Sequence, residues 1–210
     1  MTPALRFIYF DFPFWRAEVS RIALYLGDVP FEDVRVSREA FREMKASGEL
    51  PYGQLPVLDV DGVRLAQSVA IARYCGALAG LYPSDDALAA ARVDEILETA
   101  NQITYAVSPS VRESDPERKA AMRAELGATI LPGWLALLER RLADNDSADV
   151  FVGDEVSVAD LAIWRLLGWL TGGILDGIPT DLLAPHPRLQ AHLAHIDAHP
   201  GVQAWVNGDR

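Results

Sequence analysis

With a single cysteine, Cys75, the 210-residue chain can form no intramolecular disulfide and no Cys-x-x-Cys metal or redox motif. Positive charge is scarce too. Nineteen Lys and Arg stand against 30 Asp and Glu, a formal net charge of -11, with no basic stripe, so nucleic acid is excluded as a partner on electrostatic grounds. No apolar run approaches the roughly 18 residues needed to span a bilayer, and no charged-then-apolar leader precedes the first elements. The expectation is a soluble, cytoplasmic protein that contacts no membrane. Internal repeats are absent, and low complexity is confined to alanine-rich helical stretches. Cys75 shares a mostly apolar helix with Ile71, Ala72 and Leu78, so it reads as a buried structural thiol.

What is present has a clear order. Leu5 to Phe10 is a β-rich apolar run, and from Arg16 onward Val19, Ile22, Ala23 and Leu26 recur at helical spacing until Gly27. Glu32 to Val36 can form a second strand, Arg38 to Ser47 a short helix, and Val57 to Val60 a third strand. Asp61-Gly62 then makes a tight hairpin into Val63-Arg64-Leu65. A helix from Ser68 to about Leu78 closes the series. The order βαβ then ββα predicts a thioredoxin-like α/β domain over residues 1–82. Gly80 to Asp86 has linker composition, and an all-helical domain is expected over 88–210. Its long helices are predicted over Ala89 to Val107 and Ala120 to Leu142. Ser157-Val158-Ala159-Asp160 is a capping box variant opening a helix that is apolar almost all round, the expected centre of that domain.

The segment Leu50-Pro51-Tyr52-Gly53-Gln54-Leu55-Pro56-Val57-Leu58, with Gln67-Ser68 shortly after, reads as a device for holding a small peptide. A cis bond before Pro56 would aim the Leu55 backbone at an extended ligand, as an added strand would be aimed; a trans turn proline is the plainer alternative. Ser68, read as the helix N-cap, would offer its hydroxyl, free N–H groups and the positive dipole end to a carboxylate. Phe12, Phe14 and Trp15 stand together on one loop, a cluster that marks either a binding surface or a staple between domains. Taken alone, Tyr9 reads as a strand aromatic with its ring in the core.

Tyr9-Phe10 closing the first strand, then Arg16-Ala17-Glu18, then Gln67-Ser68-x-Ala-Ile-Ala-Arg-Tyr, then the Ser-x-Ala-Asp box, together resemble a cytosolic glutathione transferase over nearly the whole chain. The class resembled is the sigma type, which includes glutathione-dependent prostaglandin D synthases. The resemblance implies glutathione as co-substrate, a hydrophobic electrophile, a homodimer and no metal. It gives Tyr9 the catalytic role: its phenol would donate to the glutathione sulfur and lower the thiol pKa. A shift of about two units would turn a thiol that is about 3 per cent ionised at pH 7 into one about three-quarters ionised. Arg16 would support Tyr9. By the same resemblance Lys45 would hold the glycyl carboxylate, Leu55, next to Gln54 and Pro56, would pair with the cysteinyl backbone, and Gln67 and Ser68 would hold the γ-glutamyl carboxylate. Lys45 reads equally well as a solvated surface lysine.

Three departures accompany the resemblance. The Asp11 to Trp15 loop is one residue longer than the usual spacing and more aromatic. Phe41 stands where the family often has a Trp, so no N–H is available there. Asn101 or Gln102 aligns with the carboxylate that reaches across the dimer, which would leave a neutral hydrogen bond and no acidic set for a metal. The electrophile would lie between the domains against Phe10, Phe12, Phe14, Trp15 and Tyr105. Tyr52 could insert into a partner subunit or pack within the chain. His192, His195 and His199 read as a solvated helix end beside Pro200 and not as a zinc site. Two other functions fit the same residues: a glutathione-dependent isomerase, and a non-catalytic glutathione- or ligand-binding module.

Overall fold

Strand β1 (Leu5–Phe10) runs down the middle of the α/β half, parallel to β2 (Glu32–Val36) and antiparallel to β3 (Val57–Val60), which pairs with β4 (Val63–Ala66). The spatial order is β2-β1-β3-β4. These positions come from a computed structural model that describes residues 3–146 and 149–208. Residues 1–2 and 209–210, the outer ends of the two predicted domains, lie outside the described residues. The β3–β4 hairpin turns on Asp61 (φ 48) and Gly62 (φ 84). Two successive positive φ values are what a two-residue turn needs to match the twist of its strands, and Asp-Gly accepts them at least cost.

Helices α1 (Trp15–Leu26), α2 (Arg38–Ala46) and α3 (Ser68–Ala79) complete this half. β1 buries Leu5, Phe7, Ile8 and Tyr9, and Cys75 of α3 lies in the same apolar cluster as Phe7 and Tyr9. Burial pushes the Cys75 thiol up to about 12, so it is protonated and unreactive at neutral pH.

The rest is helical: α4 (Ala87–Arg112), α5 (Pro116–Glu125), α6 (Leu131–Ala143), α7 (Val158–Thr171), α8 (Pro187–Asp197) and α9 (Pro200–Asn207). The architecture is therefore a thioredoxin-like half followed by an all-helical half. Helix α1 joins the two, packing on α3, on α7 and on α9. Among the described residues no helix is long and apolar enough to cross a membrane.

The predicted capping box is complete. The Asp160 carboxylate, fully buried, accepts from the Ser157 backbone N–H (2.8 Å), the Ser157 hydroxyl (2.7 Å) and the Phe151 N–H (2.9 Å). Helix α7 behind it is buried on nearly every side, as its composition requires.

Two helix expectations change. α4 runs on past Val107 to Arg112 with Pro109 inside its last turn. The single helix expected over Ala120 to Leu142 is two, α5 and α6, joined by a π-helical turn over Leu126–Ile130. Pro132 cannot donate to the preceding turn, and the widened turn falls directly before it. Gly127, second in that turn, lies under Pro179: a Cβ there would stand 2.7 Å from the proline Cδ. Gly127→Ala is expected to cost about 1–3 kcal/mol through overpacking. Urea denaturation would check it, with an unchanged midpoint as the contrary result.

Candidate active site

The C-terminal end of β1, the loop after it, the 52–56 turn and the start of α3 form one wall of a cleft; α4 and α7 form the other. The cavity volume is about 430 Å³. Tyr9 and Phe10 enter from β1, Phe12 and Phe14 from the loop, Arg16 from α1, and Phe41 from α2. Thr104, Tyr105, Ser108, Val111 and Arg112 of α4 face them, with Trp169 of α7. Arg16 and Arg112 are the charged lining residues and no carboxylate is among them, in a chain whose net charge is -11. Such a cleft suits an anion.

Tyr9 lies at the inner edge of this cleft, 4% exposed. Burial pushes its phenol up to about 12, opposed by the charges of Arg16 and then Arg21. At neutral pH the group is a neutral O–H, as an ordinary phenol also is, and able to donate. The Arg16 guanidinium lies 5.2 Å from the Trp15 ring and 5.2 Å from the Tyr105 ring, and its Nη1 donates to Ser68 Oγ at 3.4 Å. The longer loop thus still delivers Arg16 to the cleft.

The 52–56 turn contributes Tyr52, Gln54, Leu55 and Pro56, and the Leu55–Pro56 peptide is cis. The Leu55 backbone enters none of the turn, cap or side-chain hydrogen bonds among the described residues. One detail differs from the sequence reading: the N-cap of α3 is Gln67, and Ser68 is the first helical residue. Gln67 adopts φ 76 and ψ 119 with no side-chain cap bond. For a residue with a Cβ this conformation costs about 1–3 kcal/mol, and strain of that kind collects at ligand sites. Gln67, like Ser68, lines the cleft at the open N-terminus of α3.

Two family models match the chain. Residues 5–76 match the glutathione S-transferase N-terminal domain, and residues 101–209 match the glutathione S-transferase C-terminal domain. The chain belongs to the glutathione S-transferase family. It is 32% identical to glutathione S-transferase 1 of Ascaris suum, over 97% of this chain and 96% of that one. It is 30% identical to the hematopoietic prostaglandin D synthase of Gallus gallus, over 97% and 96%. In three dimensions it is similar to the prostaglandin synthase D of Nilaparvata lugens, with a TM-score of 0.85 at 29% identity over 99% of each chain.

Within this glutathione S-transferase, most of the expected residues converge on the cleft: Tyr9, Arg16, Phe41, Gln54, Leu55, Pro56, Gln67 and Ser68, with Phe10, Phe12, Phe14 and Tyr105. Three do not. Trp15, expected in the electrophile pocket, is fully buried, and its indole N–H donates to Thr104 Oγ1 at 2.8 Å. It staples α1 to α4, because an indole whose N–H is satisfied inside an apolar core has no reason to face solvent. Trp169 supplies the tryptophan of the pocket, edge-on to Phe14 at 5.1 Å. The apolar pattern of α7 carries no signal that sets Trp169 apart from its core neighbours.

Lys45 is exposed on α2 and does not line the cleft; its stem covers Gly53, with Cε 3.3 Å from where a Cβ would sit. Asn101 is buried on α4 outside this chain's cleft, donating to Glu98 Oε2 at 3.1 Å, and its Oδ1 has no partner among the described residues. Tyr52 is 66% exposed at the cleft rim. The three C-terminal histidines diverge: His192 is buried with Nδ1 2.8 Å from the Asp149 carbonyl, His195 is exposed, and His199 caps α9. No His, Cys, Asp or Glu group among the described residues is arranged to hold a metal. Arg112, Val111 and Ser108 were not anticipated, because α4 extends a full turn further than its pattern suggested, and Thr104 was not, because nothing in that pattern sets it apart from its neighbours.

Proposed function

We propose that the cleft binds glutathione, that the Tyr9 phenol donates a hydrogen bond to its sulfur, and that the thiolate attacks a soft, apolar electrophile. The observation that carries this reading is a phenol at the inner edge of the cleft, lining it together with Arg16 and the open start of α3. A neutral O–H is the form that can stabilise a thiolate by donation, whereas a phenolate would repel it. Arg16 beside Ser68 adds a positive charge to the same end of the cleft.

The tripeptide would lie extended along Leu55, its cysteinyl backbone pairing there as an added strand. Its γ-glutamyl carboxylate would meet Ser68, Gln67 and the N–H groups opening α3. The sulfur would then face Tyr9 beneath Phe12, Phe14 and Trp169, which suit an acceptor with an apolar body. In the reaction the sulfur lone pair forms the new C–S bond. Either a leaving group departs with the displaced electron pair, or the added carbon framework takes a proton. The same reading makes the protein a cytoplasmic homodimer in which Asn101 offers its neutral amide to the partner's ligand.

A second reading, a glutathione-dependent isomerase that returns the tripeptide unchanged, draws on the relative named hematopoietic prostaglandin D synthase. Recovery of free glutathione after turnover favours it over conjugation. The central test is thiolate absorbance of bound glutathione against pH in the wild type and in Tyr9→Phe. The expected result is a midpoint about two units below the free thiol in the wild type and close to the free thiol in the variant. Equal midpoints would remove Tyr9 from the mechanism.

A further inference from the structure

Arg21 presents an energetic problem that the proposed function leaves unsolved. Its side chain is fully buried, with Nη1 3.1 Å from Glu18 Oε1 and Nε 2.8 Å from Asp33 Oδ1. Its Nη2 is buried with no partner among the described residues. A guanidinium and a carboxylate buried together, with a second, half-buried carboxylate beside them, are no more stabilising than apolar side chains of the same volume, because each charge must first lose its water. An arrangement of this kind calls for some purpose besides stability.

The guanidinium lies 5.3 Å from the Phe7 ring and 5.9 Å from the Tyr9 ring. Phe7 and Tyr9 are two apart on β1 and so share a face of the sheet, which lets one planar cation cover both. Tyr9 therefore has Arg16 toward the cleft and Arg21 on its buried side. The charged groups around Arg21 come from each element it meets: Glu18 on α1 and Asp33 on β2, with Arg35 bridging Asp33 (3.0 Å) to Asp11 (2.6 Å) in the aromatic loop. The second oxygen of Glu18 accepts from the Trp205 indole of α9 at 3.0 Å. One end of the molecule is thereby wired to the other: α9 orients Glu18, Glu18 orients Arg21, and Arg21 bears on Tyr9.

We propose that Arg21 is a positioning residue for the Tyr9 phenol, holding the ring in place and polarising it from beneath as a buried cation fixed by Glu18, Asp33 and, through Glu18, Trp205. This rests on the Tyr9 reading above and extends it to a residue that never touches the substrate. A cation against the ring withdraws electron density from the phenol, making it the stronger donor to a thiolate. Arg21, fully buried and absent from the cleft lining, would act through the ring and not on the sulfur.

The test is the thiol titration of bound glutathione in Arg21→Gln/Glu18→Gln and in Arg21→Lys. The double variant removes one charge of each sign and leaves amides able to pair, and Arg35 continues to pair with Asp33; thermal unfolding confirms that both variants fold. The double variant is expected to raise the thiol midpoint by about half a unit to one unit, since the guanidinium is close but partly offset by its carboxylates. Arg21→Lys, which keeps the charge, is expected to fall between the double variant and the wild type. In a Tyr9→Phe background the double change should add nothing further. An unshifted midpoint in a folded double variant overturns the inference, as does a shift in Arg21→Lys equal to that of the double variant. A second, additive rise on top of Tyr9→Phe also overturns it, because Arg21 would then act on the sulfur directly. Tyr9→Phe alone separates the two levels: unshifted, it removes the proposed function itself; shifted beside an unshifted double variant, it removes only the role of Arg21.

Discussion

Tyr9→Phe is expected to lower kcat/KM for the electrophile, measured with glutathione saturating, about fiftyfold at pH 6.5 and scarcely at all at pH 9. The pH dependence follows from the thiolate fraction. A glutathione thiol lowered from about 8.5 to about 6.5 is half ionised at pH 6.5, whereas an unassisted one is about 1 per cent ionised. At pH 9 the two fractions are nearly complete and about three-quarters, so the advantage disappears. The sign is set by the donor: a hydrogen bond to the charged sulfur favours ionisation, and losing it moves the midpoint up. Because burial holds the Tyr9 phenol up to about 12, the donor itself stays protonated across this whole range and adds no second inflection. A pH–rate profile of kcat/KM for both proteins reads the outcome. A loss of equal size at pH 6.5 and pH 9 would mean that Tyr9 serves binding or packing and not thiol ionisation.

Asp160→Ala is expected to destabilise the fold by about 3–5 kcal/mol, since each buried donor left unpaired costs about 1–3 kcal/mol. The carboxylate accepts from Ser157 N, Ser157 Oγ and Phe151 N, and removing it strands all three inside the helical core. His192 Nδ1, 3.8 Å from Asp160 Oδ1, keeps its contact with the Asp149 carbonyl and does not compensate. For a chain of this size the midpoint of thermal unfolding should fall by about 10 °C. Asp160 does not line the cleft, so the fraction that remains folded should titrate bound glutathione as the wild type does. Calorimetry and the thiol titration together check this. A fall of less than about 3 °C would show that water or a shifted backbone replaces the carboxylate.

Much of the fold was legible because it depends on local chemistry. Asp-Gly can only turn a hairpin, Ser157 and Asp160 can only close a cap on each other, and a short run of strand, helix and hairpin in that order has few ways to pack. The misreadings concern helix boundaries and the direction in which side chains face. Trp15 and Trp169 are both large aromatics near helix ends, and no spacing rule says which one faces the core; the hydrogen bond from Trp15 to Thr104, 89 positions away, decided it. Gln67 as the strained cap of α3 was hidden because a positive φ at a residue with a Cβ is imposed by its surroundings and not by its own preference. Arg21 looked like one more charge on a helix, and became informative only when β2 and α9 brought Asp33 and Trp205 to it.

What the amino-acid order determined by itself was the succession of elements, the chemistry gathered at the end of β1 and the start of α3, and the family. The succession of elements follows from propensities, turn residues and periodicity acting over a few positions at a time, whereas the family and the site chemistry came from the resemblance of ordered motifs such as Arg16-Ala17-Glu18 and Gln67-Ser68. Only the tertiary structure decided which tryptophan walls the cleft, that two arginines and no carboxylate line it, and that a buried cation lies beneath the Tyr9 ring. Each of those depends on side chains far apart in the chain meeting in a low-dielectric interior, where distance and burial set the energies and sequence separation does not.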